Sequence, residues 1–178
     1  MVQKVVVLVM HGVPPSDFPR DEAGEYFRLH GEFGDEHHAP QSGRDPRSGA
    51  RRRYAELDEK MRLWPRTPEN DPYHSGSLRL AQELRRATGL DVIVAFNEFC
   101  GPSVDEALAL AASNGAGKVV AITPMMTSGG GHSEVDIPNA VERARREHPQ
   151  VEFAYAWPFN EEEIAGFLAA QVSRFLEG

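Results

Sequence analysis

Residues Lys118 to Pro138 read KVVAITPMMTSGGGHSEVDIP, and this stretch sets the pattern for the rest of the chain. It begins with an apolar, β-branched run that predicts a buried strand over Val119–Thr123. A loop of small residues, Thr127 to Gly131, then leads to His132, and a helix is predicted from about Asp136. Open α/β sheets bind their ligands at the carboxyl ends of the strands, where this loop lies. We therefore expect the floor of an active site here.

Outward from this stretch, apolar runs alternate with amphipathic runs. The sequence predicts four strands, over Lys4–Met10, Asp91–Phe96, Val119–Thr123 and Val151–Ala156. It predicts helices over Ser75–Thr88, Ser103–Asn114, Asp136–Glu147 and Glu161–Leu176. Such alternation is typical of a parallel sheet with helices on both faces and right-handed crossovers. We predict an α/β fold: a single doubly wound domain over residues 1–178, with a four-stranded parallel sheet of flavodoxin-like topology.

Two of the predicted helices carry more detailed expectations. Ser75 or Ser77 is expected to cap the first helix, and Gly89 is expected to end it. Its predicted inward face comprises Leu78, Ala81 and Leu84. The C-terminal helix is predicted to turn a larger set of side chains inward: Ile164, Phe167, Leu168, Val172 and Phe175.

The segment Phe18–Tyr73 differs from the rest of the chain, because it is rich in charge, Pro and Gly. Structureless loops of this length are uncommon in compact domains, so we predict a partly helical insertion that serves as a lid or an oligomer contact. A helix is expected over Gly49–Leu63, with its apolar face formed by Tyr54, Leu57, Met61 and Leu63. The segment also holds histidines and an arginine cluster: His30, His37, His38, Arg44, Arg47, Arg51, Arg52 and Arg53.

These basic residues have more than one interpretation. The adjacent pair His37-His38 is expected to be solvated, because neighbouring side chains point in different directions. The arginines are either a solvated face or guanidinium partners for substrate carboxylates.

Composition narrows the classes of function. The formal net charge is −8 over 178 residues, which argues against non-specific nucleic-acid binding, since that requires a basic face. The single cysteine, Cys100, excludes an intrachain disulfide and is expected to be a small core residue rather than a nucleophile. The apolar run at residues 4–10 is too short to span a bilayer and lacks the features of a signal peptide. We expect a cytoplasmic protein with no membrane or nucleic-acid partner.

Three candidate ligands follow predicted strands: His11, Glu98 and His132. They can converge, because the carboxyl ends of parallel strands open on the same side. Two neutral imidazoles and one carboxylate suit Co²⁺, Fe²⁺, Ni²⁺ or Zn²⁺, and suit Mg²⁺ or Ca²⁺ badly. The same groups could act as general bases, or be no more than strand-end and surface residues. The run Gly129–Gly131 is not followed by the Lys-Ser/Thr of a P-loop, so no nucleotide site is expected.

A series of short motifs accompanies these residues: Met10-His11-Gly12, Ala95-Phe96-Asn97-Glu98, Pro102-Ser103-Val104-Asp105-Glu106-Ala107, Thr123-Pro124-Met125-Met126, Gly131-His132 and Asp136-Ile137-Pro138. With them the chain resembles the small class II tetrapyrrole chelatases, in particular the short sirohydrochlorin cobaltochelatase (CbiX-type) family, which is related to the ferrochelatases. Residues 90–176 carry the resemblance nearly end to end. The chain departs from the family at Val13, where a serine is usual, and in the length of Phe18–Tyr73.

The resemblance implies metal insertion into a tetrapyrrole. In the family, the histidines that match His11 and His132 bind the metal or take the pyrrole protons, and the acidic residue that matches Glu98 lies in the same cleft. It implies a homodimer, no organic cofactor, and a divalent metal (Co²⁺, Fe²⁺ or Ni²⁺) as substrate. Further residues are expected to bind the tetrapyrrole: Ser128, Gly130, Gly131, Arg51 and Arg52.

Four hypotheses remain open at this point. The first is a chelatase that inserts Co²⁺ or Fe²⁺ into sirohydrochlorin, and the second is a ferrochelatase-like enzyme that acts on a porphyrin. The third is a carrier that binds a metal or a tetrapyrrole without turnover. The fourth is a flavodoxin-like regulatory domain, which would leave His11 and His132 apart and separately hydrogen-bonded.

Overall fold

A computed structural model describes residues 2–34 and 48–176. Within these residues the sheet has four strands: β1 (Lys4–Met10), β2 (Asp91–Phe96), β3 (Lys118–Ile122) and β4 (Glu152–Tyr155). The α-helices are α1 (Arg20–Phe33), α2 (Ser48–Arg62), α3 (Pro72–Thr88), α4 (Val104–Ser113), α5 (Ile137–Glu147) and α6 (Glu161–Leu176). A π-helical turn, His132–Asp136, precedes α5. No helix in the described part of the chain combines the length and apolar character needed to cross a membrane.

The four strands pair in parallel, in the order β2-β1-β3-β4. The continuous β-branched run of β1 suits its inner position, because a strand covered on both faces has no polar side. Met10 of β1 lies opposite Phe96 of β2, and Leu8 lies opposite Ile122 of β3. The carboxyl ends of these strands therefore meet at one edge of the sheet. The predicted α/β class and four-stranded parallel sheet are confirmed.

Helices cover both faces of the sheet. On one face, Val7 of β1 belongs to a buried cluster with Leu108 of α4 and Ile137 of α5. On the other face, Leu8 clusters with Ala81 of α3 and with Cys100. The position of Cys100 agrees with the predicted core role, and burial raises the pKa of its thiol.

Helices α1 and α2 pack on each other as a hairpin. Its buried side chains recur at helical spacing: Tyr26, Leu29, Phe33, Tyr54, Leu57 and Met61. The helix predicted over Gly49–Leu63 corresponds to α2 within one residue, but Leu63 lies beyond its end and is 73% exposed. The insertion and its lid role stay predictions. Four residues of the predicted basic set lie outside the described residues: His37, His38, Arg44 and Arg47.

Helix α3 begins earlier than predicted and has a different cap. Asp71, rather than Ser75 or Ser77, caps it by accepting a hydrogen bond of 2.8 Å from the backbone N–H of His74. Proline at the first helical position favours this start. Ser77 lies inside the helix, where its hydroxyl donates to the backbone carbonyl of Tyr73.

The predicted inward face of α3 is only partly correct. Ala81 is buried and Leu84 is half-buried, but Leu78 is 42% exposed. The early start explains this difference, because the helix is anchored at Asp71 and its buried line passes through Ser77 and Ala81. Gly89 ends the helix in the left-handed conformation, as predicted.

The predicted inward face of the C-terminal helix is wrong. Every residue of α6 is described, and none of its side chains is buried. Ile164 is half-buried, and the remaining members of the set are exposed: Phe167 (63%), Leu168 (54%), Val172 (56%) and Phe175 (78%). The apolar periodicity is real, but none of residues 2–34 and 48–176 covers this side of the helix.

Candidate metal centre

The chain connects the ends of β1 and β2 beyond the strands themselves. The backbone N–H of Glu98 donates to the carbonyl of His11 at 2.9 Å, which continues the pairing of the two strands. Gly12 then turns the chain with a φ of +97°, and a Cβ atom there would lie 2.0 Å from the carbonyl oxygen of Glu98. Only glycine permits both the conformation and the close approach. The side chains of His11 and Glu98 are thereby held side by side at the edge of the sheet.

His132 begins a π-helical turn rather than ending a loop. The backbone N–H of Ile137 donates to the carbonyl of His132, one residue further along the chain than in an α-helix. The hydroxyl of Tyr155, at the end of β4, donates to the carbonyl of Ser133 at 2.9 Å. This bond ties the turn to the sheet and so fixes His132 near the end of β3.

The three predicted ligands converge. The candidate ligand atoms of His11, Glu98 and His132 all lie within 4.8 Å of one another. Glu98 places Oε2 3.9 Å from Nε2 of His11, and Oε1 3.9 Å from Nε2 of His132. These distances exceed hydrogen-bond length and approach the roughly 3.4 Å that separates ligands around a tetrahedral cation with bonds of about 2.1 Å. The arrangement can hold a divalent cation.

The two imidazole rings meet edge to face, with 4.8 Å between the ring centroids of His11 and His132. The regulatory-domain hypothesis required them to lie apart, and the structure does not support it.

Hydrogen bonds set which ring nitrogen faces the centre. Nδ1 of His11 lies 2.9 Å from the carbonyl oxygen of Gly12, and Nδ1 of His132 lies 2.6 Å from Oδ2 of Asp136. Because both partners are acceptors, each Nδ1 carries a proton and donates it, and each Nε2 keeps its lone pair. Support of this kind is usual for histidines that ligate metals. Asp136 therefore orients a residue of the candidate centre, and sequence reasoning gave it no such role, although its i+4 spacing from His132 was a visible signal.

Two arginines fasten the loop that carries Glu98. Arg62 donates from Nη2 to the carbonyl of Asn97 at 3.1 Å and from Nη1 to that of Cys100 at 3.2 Å. Arg66 donates to the carbonyl of Phe99, between these two, and to that of Val13 at 2.8 Å. Its charge is balanced by Asp71 at 2.7 Å, with both side chains buried. The loop is thus fixed on either side of Glu98.

A third histidine reaches the centre from α1. Nε2 of His30 lies 3.8 Å from Oε1 of Glu98, and its ring stacks on Tyr26 with 5.5 Å between centroids. Sequence reasoning placed His30 within the charged segment and gave it no role. The signal that could have found it is the helical spacing of Tyr26, Leu29 and Phe33, which puts position 30 on the buried side of a helix.

The residues predicted to bind the tetrapyrrole lie on two parts of the structure, the loop before His132 and helix α2. Ser128, Gly130 and Gly131 are exposed on the loop that leads to His132. On α2, the guanidinium carbon of Arg51 lies 4.9 Å from the centroid of the Phe33 ring. Arg52 is exposed and lies 3.7 Å from Glu56 on the same helix. The binding roles of these residues stay predictions.

The fold and the site together define a class of protein: an α/β domain that can hold a divalent cation at the carboxyl ends of a parallel sheet. The family model described as CbiX matches residues 70–174, more than half of the chain, and the chain belongs to this family.

Three relatives illustrate the similarity. A sirohydrochlorin cobaltochelatase from Priestia megaterium is 37% identical over 70 residues, which are 39% of this chain and 22% of that protein. A crystal structure described as a cobalamin (vitamin B12) biosynthesis CbiX protein from Marinobacter aquaeolei VT8 has a TM-score of 0.55 at 16% identity, covering 98% of both chains. The sirohydrochlorin chelatase SirB from Bacillus subtilis subspecies spizizenii, in complex with cobalt, gives a TM-score of 0.42 at 13% identity, covering 88% of this chain and 43% of that chain. The match to the curated relative thus spans about a fifth of that protein's length.

Proposed function

We propose that the protein is a metal chelatase that inserts Co²⁺ or Fe²⁺ into sirohydrochlorin. The observation that carries the proposal is the convergence of Nε2 of His11, Nε2 of His132 and the carboxylate of Glu98 at cation spacing. Membership of the CbiX family and the similarity to a sirohydrochlorin cobaltochelatase support the same substrate class. Imidazole and carboxylate together suit cobalt and iron equally well, so the donor set leaves the choice between them to the assay below.

The chemistry requires the cation to lose water and the macrocycle to lose two pyrrole protons. In the proposed mechanism, the lone pairs of His11 and His132 and the carboxylate of Glu98 replace water around the cation. As metal–nitrogen bonds to the macrocycle form, the bonds to the protein break and the freed imidazoles or carboxylate accept the pyrrole protons. One dication enters the ring and two protons leave it, so charge is conserved.

The macrocycle would approach from the more open side of the centre. The side chain of His11 is 45% exposed, whereas those of Glu98 and His132 are 23% and 25% exposed. The exposed loop with Ser128, Gly130 and Gly131 adjoins His132 and offers small residues that leave room for a ring. Arg51 and Arg52 would bind peripheral carboxylates of the substrate.

An anaerobic absorbance assay tests the proposal. Sirohydrochlorin is mixed with Co²⁺, Fe²⁺ or Ni²⁺ in the presence of the wild-type protein, His132→Ala or His148→Ala. The last variant is a matched control. His148 follows α5 and precedes β4, so it lies toward the amino ends of the strands, whereas the metal centre lies at their carboxyl ends. We expect insertion faster than the spontaneous rate with the wild type and the control, and its loss with His132→Ala.

Each alternative has its own outcome in this assay. Tight binding of sirohydrochlorin without accelerated insertion would favour a carrier. Insertion into a porphyrin, with sirohydrochlorin left unchanged, would favour a ferrochelatase-like enzyme. Either result would overturn the proposed activity.

We also propose a homodimer. The exposed apolar side of α6 supports this, because a contiguous uncovered apolar surface commonly marks a site of protein association.

A further inference from the structure

Glu98 faces three imidazoles rather than two. Its Oε1 lies 3.9 Å from Nε2 of His132 and 3.8 Å from Nε2 of His30, while its Oε2 faces His11. His30 nevertheless stands outside the group whose ligand atoms lie within 4.8 Å of one another. The carboxylate is therefore shared between an inner group, His11 and His132, and an outer imidazole, His30.

Contacts with two tyrosines orient the ring of His30. Nδ1 of His30 lies 2.8 Å from the hydroxyl of Tyr54, and the ring stacks on Tyr26, whose hydroxyl donates to Oδ1 of Asp58 at 3.0 Å. With Nδ1 engaged by Tyr54, Nε2 is the nitrogen that faces Glu98.

These contacts lie in the buried part of the hairpin. Tyr26 and Tyr54 are 1% and 4% exposed, and burial raises the pKa of Tyr54 to about 12, so both hydroxyls remain protonated donors. The other oxygen of Asp58 accepts from Arg62 at 2.7 Å. Arg62 also donates to the carbonyl of Asn97 in the loop of Glu98. The contacts around His30 and the loop of Glu98 are therefore held by the same arginine.

All three histidines therefore direct Nε2 toward Glu98 and have Nδ1 engaged elsewhere. At 3.8 Å, Nε2 of His30 and the carboxylate oxygen are too far apart for a hydrogen bond, whereas a cation between them would bind both. The side chain of His30 is 28% exposed, so a cation can reach it from solvent.

We infer that His30 and Glu98 form an outer binding position for the divalent cation, from which Glu98 passes the cation to His11 and His132. Two protein ligands with water completing the shell bind weakly enough to release the cation, and the shared carboxylate oxygen allows transfer without full dissociation. The α1–α2 hairpin thus takes part in metal delivery. This inference rests on the proposed function, because an outer position has a purpose only where the inner one passes a cation to a substrate.

Removal of the inner position tests the outer one. The background variant is His11→Ala with His132→Ala, titrated anaerobically with Co²⁺ and followed by visible absorbance and equilibrium dialysis. We expect this variant to keep one weak Co²⁺ position, and we expect His30→Ala on the same background to lower that affinity at least tenfold. Tyr54→Phe keeps the packing but removes the hydroxyl that contacts Nδ1 of His30, and should lower the Co²⁺ affinity about tenfold on the same background.

Controls separate this inference from the proposed function. His148→Ala on the same background should leave the affinity unchanged, and circular dichroism should show all variants folded. Absence of Co²⁺ binding in the background variant, or equal binding with and without His30, overturns the outer position. Failure of the wild-type protein to bind Co²⁺ would instead overturn the metal centre of the proposed function.

A kinetic measurement on the intact site gives a second readout. In stopped-flow mixing with Co²⁺, His30→Ala alone should slow association several-fold, with a smaller change in the final affinity. An unchanged association rate would contradict delivery through His30.

Discussion

At the scale of single residues, the position of Glu98 depends on the absence of a side chain at Gly12. The backbone of Gly12 passes so close to the Glu98 carbonyl that no Cβ atom fits between them, and its φ of +97° lies in the region that favours glycine. Among the described residues, backbone contacts of its loop hold this carboxylate in place, and no hydrogen bond to its own oxygens does so. A substitution at Gly12 should therefore move the carboxylate of Glu98 and weaken metal binding, although Gly12 itself is not a candidate ligand.

We expect Gly12→Ala to lower Co²⁺ affinity at least tenfold and to lower the melting temperature, because the loop of Glu98 must move away from the new Cβ. Isothermal titration and thermal unfolding measure the two effects. The matched control is Gly24→Ala in α1, where the added Cβ meets nothing within 4 Å beyond the backbone of its own helix and its chain neighbours, among the residues described. That change should leave Co²⁺ affinity intact and stabilise the helix by about 0.5–1 kcal/mol. Wild-type affinity in Gly12→Ala would show that Glu98 does not need this close approach.

Asp136 has a different effect, because it acts on the orientation and tautomer of His132. Asp136→Asn should reduce Co²⁺ affinity by about 10–100-fold, the usual cost of losing a supporting carboxylate. The absorbance spectrum of bound Co²⁺ should also change, since the imidazole donates less strongly. Glu162→Gln, on exposed α6, is the control. An Asn variant with unchanged affinity and spectrum would mean that the hydrogen bond at 2.6 Å does not tune the metal.

At the scale of elements, Arg66 is one of the side chains that join the hairpin to the sheet. This side chain lies at the turn between α2 and α3. It donates to backbone carbonyls in the loop after β1, in the loop after β2 and in α2, and it forms a buried ion pair with Asp71. Four segments therefore share one guanidinium group. The cost of burying its charge is offset only while all of these partners are present.

Arg66→Met should destabilise the protein by about 3–5 kcal/mol, because it leaves Asp71 as an unpaired buried charge. The double variant Arg66→Met with Asp71→Asn should recover part of that loss. Chemical denaturation of each protein gives the free energies of unfolding. Arg86→Met, which removes an exposed pair with Glu83, should change stability by less than about 1 kcal/mol. Equal effects of the buried and exposed variants would argue against this role of Arg66.

The observed strands and helices also show which sequence patterns were sufficient to predict an element and its bounds. β1 and β2 have their predicted bounds, because continuous β-branched runs ended by glycine or polar residues leave little choice. Helix α1 was not predicted, since its mean composition is polar and Gly24 and Gly31 interrupt it. Its three buried residues pack against α2 and Phe99, and such a tertiary contact is absent from local sequence.

At the scale of the whole molecule, the convergence of His11, Glu98 and His132 could be predicted because parallel topology alone brings strand ends together. The contribution of His30 could not, because it depends on how a separate hairpin packs against the loop after β2. The exposed side of α6 could not be predicted either, since an apolar helical stripe has the same appearance whether the chain or a partner covers it.

In the proposed homodimer, the exposed apolar side of α6 forms the interface, and the mass of the protein in solution tests this. The exposed residues Phe167, Leu168, Val172 and Phe175 lie on one side of α6 at a rotation of about 100° per residue, and Ser173 lies on the other. We expect light scattering after gel filtration to give twice the chain mass for the wild type.

Phe167→Glu with Val172→Glu should shift the protein to a single-chain mass, because a dimer would then bury four charges without partners. Ser173→Glu adds a charge to the same helix on its other side, and should leave the dimer intact. If the double variant keeps an intact metal centre but loses only the dimer, the Co²⁺ titration will be unchanged, and the two sites can be assigned to different surfaces. A wild-type protein that remains single-chain at all concentrations would refute the dimer, and a dimer that survives both glutamates would place its interface away from α6.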